Sequence, residues 1–504
     1  MGELKLANYT DLDRLATEHG LELTPDGAHL RWGKTNRKHP RNWHPARKTY
    51  DITVIGLLEF FTTAMSTSGA ATAKAAQLEL GTGKTFTLFL YVSTYLLGQG
   101  LGGVVFPPYS ETFGRKRLYV LSALLYSVFC LLIGAVPSAS ALVIGRLVTG
   151  FLSAIPTIVI TGSIEDLFNS QDRIWVMLYY VAMACLGVSA GPIMSSYVTY
   201  RYGWRWVFNI GAIVTCVLAA MLMCIKESRP SLILAREVQA LRKLTGNESL
   251  LALNPDFMPD LRTFAHVGLF RPLRLFFTEP IVFVVTMVFS VCVALIYLFA
   301  EALPPIFEAF GFSTEDSSLP FLALGVGFIP NIATRILDYR VTQRRLKEGL
   351  KVKPEHKLTG IYIGAPVLAL SLWWFAWTIP PVGAGIHWFV PVVALFFTGY
   401  GLNEMEVVVS QYMADSYLSY AASGFAALSI VRSLLSATFP LFGSAMFDGL
   451  GANVGMSILA AVATLFCIVP PLLSRYGERM RKKSNFAKYS LQVYAENGVD
   501  SDFR

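Results

Sequence analysis

Apolar and polar stretches alternate along the whole chain at a spacing that predicts membrane-spanning helices. About twelve apolar runs are long enough to cross the roughly 30 Å hydrocarbon core of a bilayer, which takes about 20 helical residues. Charged and turn-forming residues separate these runs. The predicted spans are 50–72, 85–106, 118–136, 140–165, 175–199, 205–225, 281–303, 317–337, 358–378, 388–410, 422–446 and 453–474. The pattern therefore predicts an all-α integral membrane protein with about twelve transmembrane helices.

A long polar stretch divides the twelve predicted spans into six and six. It holds one amphipathic segment, about Ser231–Leu244, which we expect to lie as a helix on the membrane surface. Two equal six-helix bundles are typical of secondary transporters built from repeats, whose substrate site lies between the repeats near the bilayer midplane. The predicted organisation is an N-terminal segment at 1–49, a bundle at 50–225, a linker loop at 226–280, a second bundle at 281–474 and a tail at 475–504.

Lysine and arginine fall mainly in alternate connections between the spans; the exceptions are Lys74, Lys84, Arg201 and Arg205. They occur in blocks before the first span, after the second, in the middle loop, at 338–357 and in the tail. The connections at 137–140, 304–316, 379–387 and 447–452 carry none. Because cytoplasmic loops are enriched in these cations, the pattern places both termini in the cytoplasm. We expect the plasma membrane, and a vacuolar membrane fits the same pattern.

Composition agrees with a membrane protein and excludes other classes. Of 504 residues, 54% are hydrophobic and 15% are charged, whereas a soluble domain carries about 25% charged residues. The formal net charge of +8 favours anionic lipid over nucleic acid, because the cations lie in blocks between apolar runs. The six cysteines lie in apolar runs without paired spacing, so we expect neither disulfides nor a metal site.

Ionisable side chains inside the predicted spans are candidate functional groups, because charge in hydrocarbon costs several kcal/mol. A buried carboxyl can be neutral in one state and ionised when it reaches water, which a proton carrier requires. Glu59, in the first span, is the first candidate, with Arg146 in the fourth span as the cation that competes with its proton.

Three further acids and a second arginine also lie within spans. Glu301 lies near the outer mouth, where a structural hydrogen bond is equally compatible with the sequence. Glu404 and Glu406 are two residues apart, so on a helix they diverge by about 200° and only one can face a central cavity. Arg432 can neutralise one of them.

The connection between the second and third spans combines glycines, prolines and charges. Residues 98–117 read GQGLGGVVFPPYSETFGRKR. We expect Pro107 and Pro108 to end the helix and Gly114 to permit a tight turn. Glu111, Arg115 and Lys116 can pair with neighbouring helix ends in one conformation and release in another. The alternative is an ordinary cationic loop that only orients the protein.

Several segments resemble the major facilitator superfamily, specifically its twelve-span drug:proton antiporter group in fungi; they include KESRPSLILAREVQALRKLTGN, YLFAEALPPIF and RSLLSATFPLFG. PPYSETFGRKR resembles that group's P-L-S-E-x-Y-G-R-R loop, and GRLVTGFLSA (145–154) resembles the R-x-x-x-G pattern of the fourth span. GVSAGP, with Gly187, Gly191 and Pro192, is similar to the G-x-x-x-G-P of the fifth span in antiporters. The resemblance covers about 40–485. It departs at 102–103, where Gly-Gly stands for Gly-Pro, and at 195–196, where serines stand for glycines.

The glycine motif of the fifth span also has a purely physical interpretation. Gly187 and Gly191 let helices approach closely, and Pro192 kinks the span. Ordinary small-residue packing, without any role in exchange, accounts for the same residues.

The resemblance implies the major facilitator fold and exchange of a substrate for protons. We therefore expect a monomeric exporter of amphipathic or lipophilic organic compounds, such as drugs, toxins or secondary metabolites, with no cofactor. The alternatives are a proton-coupled uptake symporter of a small organic solute and a non-transporting membrane sensor. The sequence shows no catalytic or metal-ligating set, which disfavours an enzyme. Defence against foreign drugs and export of a self-made metabolite fit equally.

Overall fold

Helices make up most of the described chain. The computed structural model describes residues 16–24, 29–33, 36–136, 138–245, 250–253, 270–349, 353–417, 421–484 and 486. The helices are α1 Pro45–Thr67, α2 Gly69–Leu80, α3 Lys84–Phe113, α4 Arg115–Ala135, α5 Ala139–Leu167, α6 Ser170–Tyr202, α7 Trp204–Met223, α8 Pro230–Thr245, α9 Arg271–Thr278, α10 Pro280–Glu308, α11 Phe321–Val326, α12 Asn331–Lys347, α13 Thr359–Thr378, α14 Phe389–Tyr417, α15 Ala421–Leu450, α16 Ala452–Phe466 and α17 Val469–Lys483. Three strands are β1 Leu21–Leu23, β2 His29–Trp32 and β3 Leu251–Ala252.

Eleven helical segments of the described chain are long and apolar enough to cross a membrane. The predicted first span is not among them. It corresponds to α1, whose 23 residues are long enough, but Asp51, Glu59 and several threonines lower its apolar character. Its place as a twelfth span stays a prediction. Most helices run several residues past the predicted limits, because helices continue beyond the hydrocarbon until a turn residue ends them.

The prediction that Pro107 and Pro108 end the helix of the second span is wrong. Helix α3 continues through both prolines to Phe113. A helix inside a bundle tolerates proline when neighbouring helices and hydroxyl side chains satisfy the backbone; here the Ser110 hydroxyl donates to the Pro107 carbonyl at 2.7 Å. The turn at Gly114 is confirmed, since its φ of +89° lies in the region that favours glycine.

Two hydrophobic cores divide the long helices into halves. The first contains buried residues of α1 to α7, and the second contains buried residues of α10 to α17. In the first half α1 packs on α6, α3 on α5 and α4 on α7; in the second α10 packs on α15 and α13 on both α14 and α16. The halves meet where α3 packs on α15 and α6 on α11. Helix α17 extends into the predicted tail, most of which lies outside the described residues.

A small third core joins the N-terminal segment to the middle loop. Strand β1 pairs antiparallel with β2, and β2 pairs parallel with β3, with His29 opposite Leu251. The apolar face of α8 packs on this sheet through Leu234, Val238 and Leu241. The amphipathic segment predicted for the membrane surface is therefore a helix, but its apolar face is covered by strands. The sequence pattern alone could not distinguish these two ways of burying one apolar face.

Candidate functional site between the two halves

Glu59 is buried in the first half and held by two threonines. Its side chain projects from α1 and is 2% exposed. The hydroxyl of Thr63, one turn later on α1, donates to Oε1 at 3.2 Å, and the hydroxyl of Thr157 on α5 donates to Oε2 at 3.0 Å. Thr157 lies in the π-helical turn Ile155–Val159 of α5. Both carboxyl oxygens are therefore satisfied by hydroxyl groups.

Arg146 does not meet Glu59 in this structure, although the sequence suggested that the two compete. Its Nη1 donates to the Met65 carbonyl at 3.1 Å, and its guanidinium lies 5.2 Å from the ring centre of Tyr95 and 5.0 Å from that of Phe208. Met65 follows Glu59 by six residues, which is about 9 Å along a helix. Cation–π contacts hold Arg146 in the apolar core, and its Nε and Nη2 have no hydrogen-bond partner within the described chain.

Glu404 is locked into a network of donors inside the second half. Its side chain is fully buried and accepts from Arg335, from Asn331 Nδ2 at 2.6 Å and from the Thr334 hydroxyl at 2.7 Å. Arg335 also pairs with Asp338 at 3.2 Å. Sequence reasoning missed Arg335, although the i, i+3 spacing of arginine and aspartate in NIATRILDYR was a usable signal.

Glu406 and Arg432 each have a buried charged atom that is unsatisfied in the second half. Glu406 Oε1 and Arg432 Nη2 are both buried and have no hydrogen-bond partner within the described residues. Arg432 acts electrostatically on Glu406 and also on Glu59 across the boundary between the halves. Next to them Tyr297 and Ser66 share a hydrogen bond of 2.7 Å between the halves. Among the predicted site residues, Arg432 therefore acts on both Glu59 and Glu406, whereas Glu404 and Arg146 have other partners.

The glycines of the predicted antiporter motif lie against the backbone of α1. A Cβ on Gly187 would come within 2.5 Å of the Phe60 carbonyl oxygen. A Cβ on Gly191 would come within 2.2 Å of the Ala64 carbonyl oxygen and of the Thr67 hydroxyl. These positions therefore allow α6 and α1 to approach closely, as the sequence indicated. The role of the motif in exchange stays a prediction.

The charged connection after α3 is anchored by two acids that sequence reasoning missed. Arg115 Nε donates to Asp166 Oδ2 at 2.5 Å, and both side chains are buried. The backbone amides of Arg115 and Lys116 donate to the Glu227 carboxylate at 2.9 and 3.2 Å, which caps the start of α4. Glu111 is exposed and forms no ion pair within the described chain. An acid at the end of the fourth span was the signal for Asp166.

Ion pairs join the halves at the opposite end of α3. Lys84 lies 3.3 Å from Glu301 and 3.5 Å from Asp448. Lys74 lies 3.4 Å from Glu308. Glu301 is therefore a partner in a contact between the halves at this end, which we call the Lys84 end. These pairs hold the two halves together there in this conformation.

The two packed halves form one fold, and sequence comparison identifies the family to which this fold belongs. Residues 54–440 match the family model described as Major Facilitator Superfamily. The chain belongs to the major facilitator superfamily. Among solved structures of this superfamily's fold, the xylose transporter XylE from E. coli, in a partially occluded inward open conformation, matches with a TM-score of 0.60. At 15% identity over 85% of this chain and 99% of that one, the match concerns the fold alone.

Curated members of the superfamily from fungi are more similar in sequence. The multidrug transporter TPO1_2 of Candida glabrata is 32% identical over 91% of this chain and 79% of its own length. The efflux pump radE of Floropilus chiversii is 30% identical over 90% of this chain and 85% of its own length. The chain is therefore similar over nearly its whole length to transporters of this superfamily.

Proposed function

We propose that the protein is a secondary active transporter that exports amphipathic or lipophilic organic compounds in exchange for protons. Membership of the superfamily and similarity to a multidrug transporter and an efflux pump support this proposal. The observation that carries the proton-coupling part is the environment of Glu59, a buried carboxyl whose two oxygens accept hydrogen bonds only from hydroxyl groups among the described residues.

Hydroxyl partners suit a group that gains and loses a proton. A threonine hydroxyl both donates and accepts, so Thr63 and Thr157 can donate to ionised Glu59 and one can accept from its protonated form. Glu404 differs, because Arg335 donates to one of its oxygens and Asn331 Nδ2 to the other, and both of these groups are donors only; the Thr334 hydroxyl is its one described partner that can also accept. A proton on either oxygen of Glu404 would face the donor group of Arg335 or of Asn331. We therefore assign proton carriage to Glu59 and a structural role to Glu404.

Alternating access needs contacts that form at one end of the bundle while others release. In this conformation ion pairs join the two halves at the Lys84 end, and Glu111 near the opposite end is exposed. We infer that Glu111 finds a partner on the second half when the Lys84 end opens, while Arg115 stays paired with Asp166. Such exchange between two discrete arrangements is the usual basis of a transporter's two states.

We infer a monomer in the plasma membrane. The lysine and arginine pattern supports an orientation with both termini in the cytoplasm and the Lys84 end facing outward. Each proton that enters down a membrane potential then contributes about 2.3 kcal/mol per 100 mV. Added to a pH gradient, this drives a lipophilic compound out of the cell against its concentration.

Glu59→Gln tests the proposal, because glutamine keeps the size and hydrogen bonds of a protonated glutamate but cannot titrate. Export should be measured in inside-out vesicles with an imposed pH difference, beside substrate binding without a gradient. We expect binding to survive and gradient-driven accumulation to stop. The exposed Glu348→Gln, remote from the centre, serves as the matched control and should transport normally.

If Glu59→Gln still accumulates substrate in response to the pH difference, Glu59 is not the carrier and Glu301 becomes the next candidate. Direction is read from the same vesicles. Accumulation in inside-out vesicles that are acidic inside indicates an exporter, whereas accumulation only in right-side-out vesicles under an inward proton gradient indicates a symporter. Binding without transport in either orientation indicates a sensor.

A further inference from the structure

The last turns of α17 have one face bound to the second half and one face exposed. On the bound face Arg481 pairs with the two oxygens of Glu355 at 2.5 and 2.8 Å, and its Nη1 donates to the Tyr412 hydroxyl at 3.2 Å. Leu473 and Gly477, earlier on the same face, are buried. The end of α17 is therefore fixed in orientation.

Three cations on the exposed face have no acidic partner. Arg475, Arg479 and Lys483 are spaced four residues apart, so they form one stripe along the helix. None of them forms an ion pair within the described chain. The one acid in the sequence of α17, Glu478, already pairs with two lysines, at 2.8 and 2.9 Å. The stripe therefore carries uncompensated positive charge.

The stripe begins where the predicted last span ends. That span ends at 474, and Lys483 lies nine residues further along the helix, which is about 13 Å. The polar headgroup region outside the hydrocarbon is about 5–7 Å deep on each side of a bilayer. The first cation therefore lies at headgroup depth and the last lies just beyond it. A hollow of about 470 Å³ opens beside them, lined by Tyr476, Arg479, Met480, Lys482 and Lys483.

The short helix α9 leaves aromatic side chains exposed next to a span. It immediately precedes α10, and the extended backbone of Glu279 between the two helices turns the chain. Pro272 and Leu275 of α9 are buried, whereas Phe270 is 65% exposed and Phe277 is 78% exposed. Exposed aromatic residues beside the start of a span suit the boundary between lipid headgroups and acyl chains.

Two contacts join α9 to the end of α17. The Ser484 hydroxyl, one residue past α17, donates to Glu279 Oε1 at 3.0 Å, and the Tyr417 hydroxyl donates to the other oxygen at 2.9 Å. The Arg274 guanidinium lies 5.9 Å from the ring centre of Phe486. The exposed Arg274 therefore lies where the aromatic face of α9 meets the end of the cationic stripe.

We propose that α9 and the exposed face of α17 bind one phospholipid of the cytoplasmic leaflet whose headgroup carries more than one phosphate, as in phosphatidylinositol bisphosphate. The aromatic side chains of α9 contact the acyl chains, and the stripe of α17 contacts the headgroup. Arginine donates charge-assisted hydrogen bonds to phosphate. Neighbouring cations of the stripe are about 6 Å apart along the helix, so a headgroup with two phosphates reaches two of them. A soluble acidic protein would leave the aromatic side chains in water.

This site is separate from the proposed export and uses only the orientation inferred above. Binding is measured on the purified full chain in detergent by native mass spectrometry, without substrate or gradient. The probes are phosphatidylinositol bisphosphate, phosphatidylserine as a lipid with one phosphate, and inositol trisphosphate as a headgroup without acyl chains. We expect one bisphosphate lipid per chain, bound about tenfold more tightly than phosphatidylserine. An equal concentration of inositol trisphosphate should not displace it.

Variants separate a defined site from general attraction to charge. Arg479→Gln combined with Lys483→Gln should weaken binding of the bisphosphate lipid by about 30-fold. The matched control, Arg340→Gln combined with Lys347→Gln on α12, removes two exposed cations that also follow a predicted span, and it should leave binding unchanged. Phe277→Ser should weaken lipid binding but not binding of inositol trisphosphate. All five positions are exposed, so melting temperatures should match the wild-type chain.

Equal losses in the two double variants would overturn the proposal, because charge alone would then attract the lipid. Displacement by an equal concentration of inositol trisphosphate would assign the surface to a soluble anion. Binding of a polyglutamate peptide in place of the lipid would assign it to an acidic protein. Either result, or unchanged lipid binding in Phe277→Ser, would also overturn the proposal.

These outcomes are independent of the proposed function. A chain that exports in response to a pH difference but binds no bisphosphate lipid refutes the lipid site alone. A chain that binds the lipid but does not export refutes the transport proposal and leaves the lipid site in place.

Discussion

Replacing Gly191 by leucine should separate α6 from α1 and stop transport. The first added carbon would lie 2.2 Å from the Ala64 carbonyl oxygen and from the Thr67 hydroxyl. Ordinary contact begins at about 3.4 Å, so the helices must move apart by about 1.2 Å locally. Thr67 would also lose its hydrogen bond to the Val188 carbonyl, which is 3.1 Å long.

The energetic cost follows from these two losses. Overpacking of a close contact costs about 1–3 kcal/mol, and a hydrogen bond between membrane helices contributes about 0.6 kcal/mol. We therefore expect Gly191→Leu to lose about 2–4 kcal/mol of stability. Gly191→Ala adds only the Cβ and should lose less. The control is Gly449→Leu on α15, where a Cβ would meet nothing within 4 Å.

Thermal unfolding in detergent and export in vesicles should be measured on the same preparations. The expected result is a graded loss of melting temperature from alanine to leucine, with transport falling further than stability. If Gly191→Leu unfolds at the wild-type temperature and exports at the wild-type rate, the close contact between α6 and α1 is not needed. If stability and transport fall together, the glycines serve packing only.

Three further predictions follow from particular contacts. Arg115→Ala should lose less than the about 3–5 kcal/mol of a fully broken buried pair, because it removes the nearer cation of buried Asp166 and leaves Arg229 at 3.7 Å. The double variant with Asp166→Ala should recover most of this loss but transport slowly; thermal unfolding and export rates test both. Glu404→Gln should lower the melting temperature more than Glu406→Gln, because only Glu404 accepts from three donors. Leu30→Asp, at a residue 1% exposed in the small third core, should open the N-terminal segment to trypsin while export continues.

Each of these predictions has a control and a contrary outcome. Arg117→Ala, at an exposed position of the same connection, should change neither stability nor export, and a double variant that exports at the wild-type rate would remove the connection from the switching step. Equal melting temperatures for the two glutamine variants would contradict the separate roles of the two acids. For the third core, Glu22→Gln on β1, whose side chain is partly exposed and which adds no trypsin site, should leave trypsin resistance intact. If Leu30→Asp also leaves it intact, the sheet does not hold α8.

The sequence predicted the helices well because the bilayer dictates their length and composition. It placed Glu59, Glu406 and Arg432 inside spans for the same reason, since any charge in an apolar run is conspicuous. It could not tell which of these charges meet. Arg146 and Glu59 both lie in spans of the first half, yet their depths along α5 and α1 differ, and only the packing of helices reveals this. Pro107 does not end its helix, because contacts with neighbouring helices in a bundle outweigh the local tendency of proline to stop a helix.

The sequence also could not predict contacts between distant parts of the chain. Asp166 and Glu227 anchor one charged connection from 51 and 112 residues away, and no spacing rule links such positions. The strands LEL and HLRW are too short to stand out among polar residues. Their partner, α8, follows about 200 residues later, so its apolar face suggested a membrane surface instead of a sheet.

The parallel pairing of β2 with β3 attaches the segment before the first bundle to the loop after it. The hydropathy pattern gives no sign of this attachment. The Leu253 amide donates a hydrogen bond to the Leu30 carbonyl at 2.9 Å. The N-terminal segment is therefore bound to the loop that follows the first bundle. A chain divided at 225/226 would part β1 and β2 from the helix and strand on which they pack. A chain divided after Leu253 would keep the three strands and α8 on one fragment. Split or fused versions of this transporter should therefore be joined after Leu253.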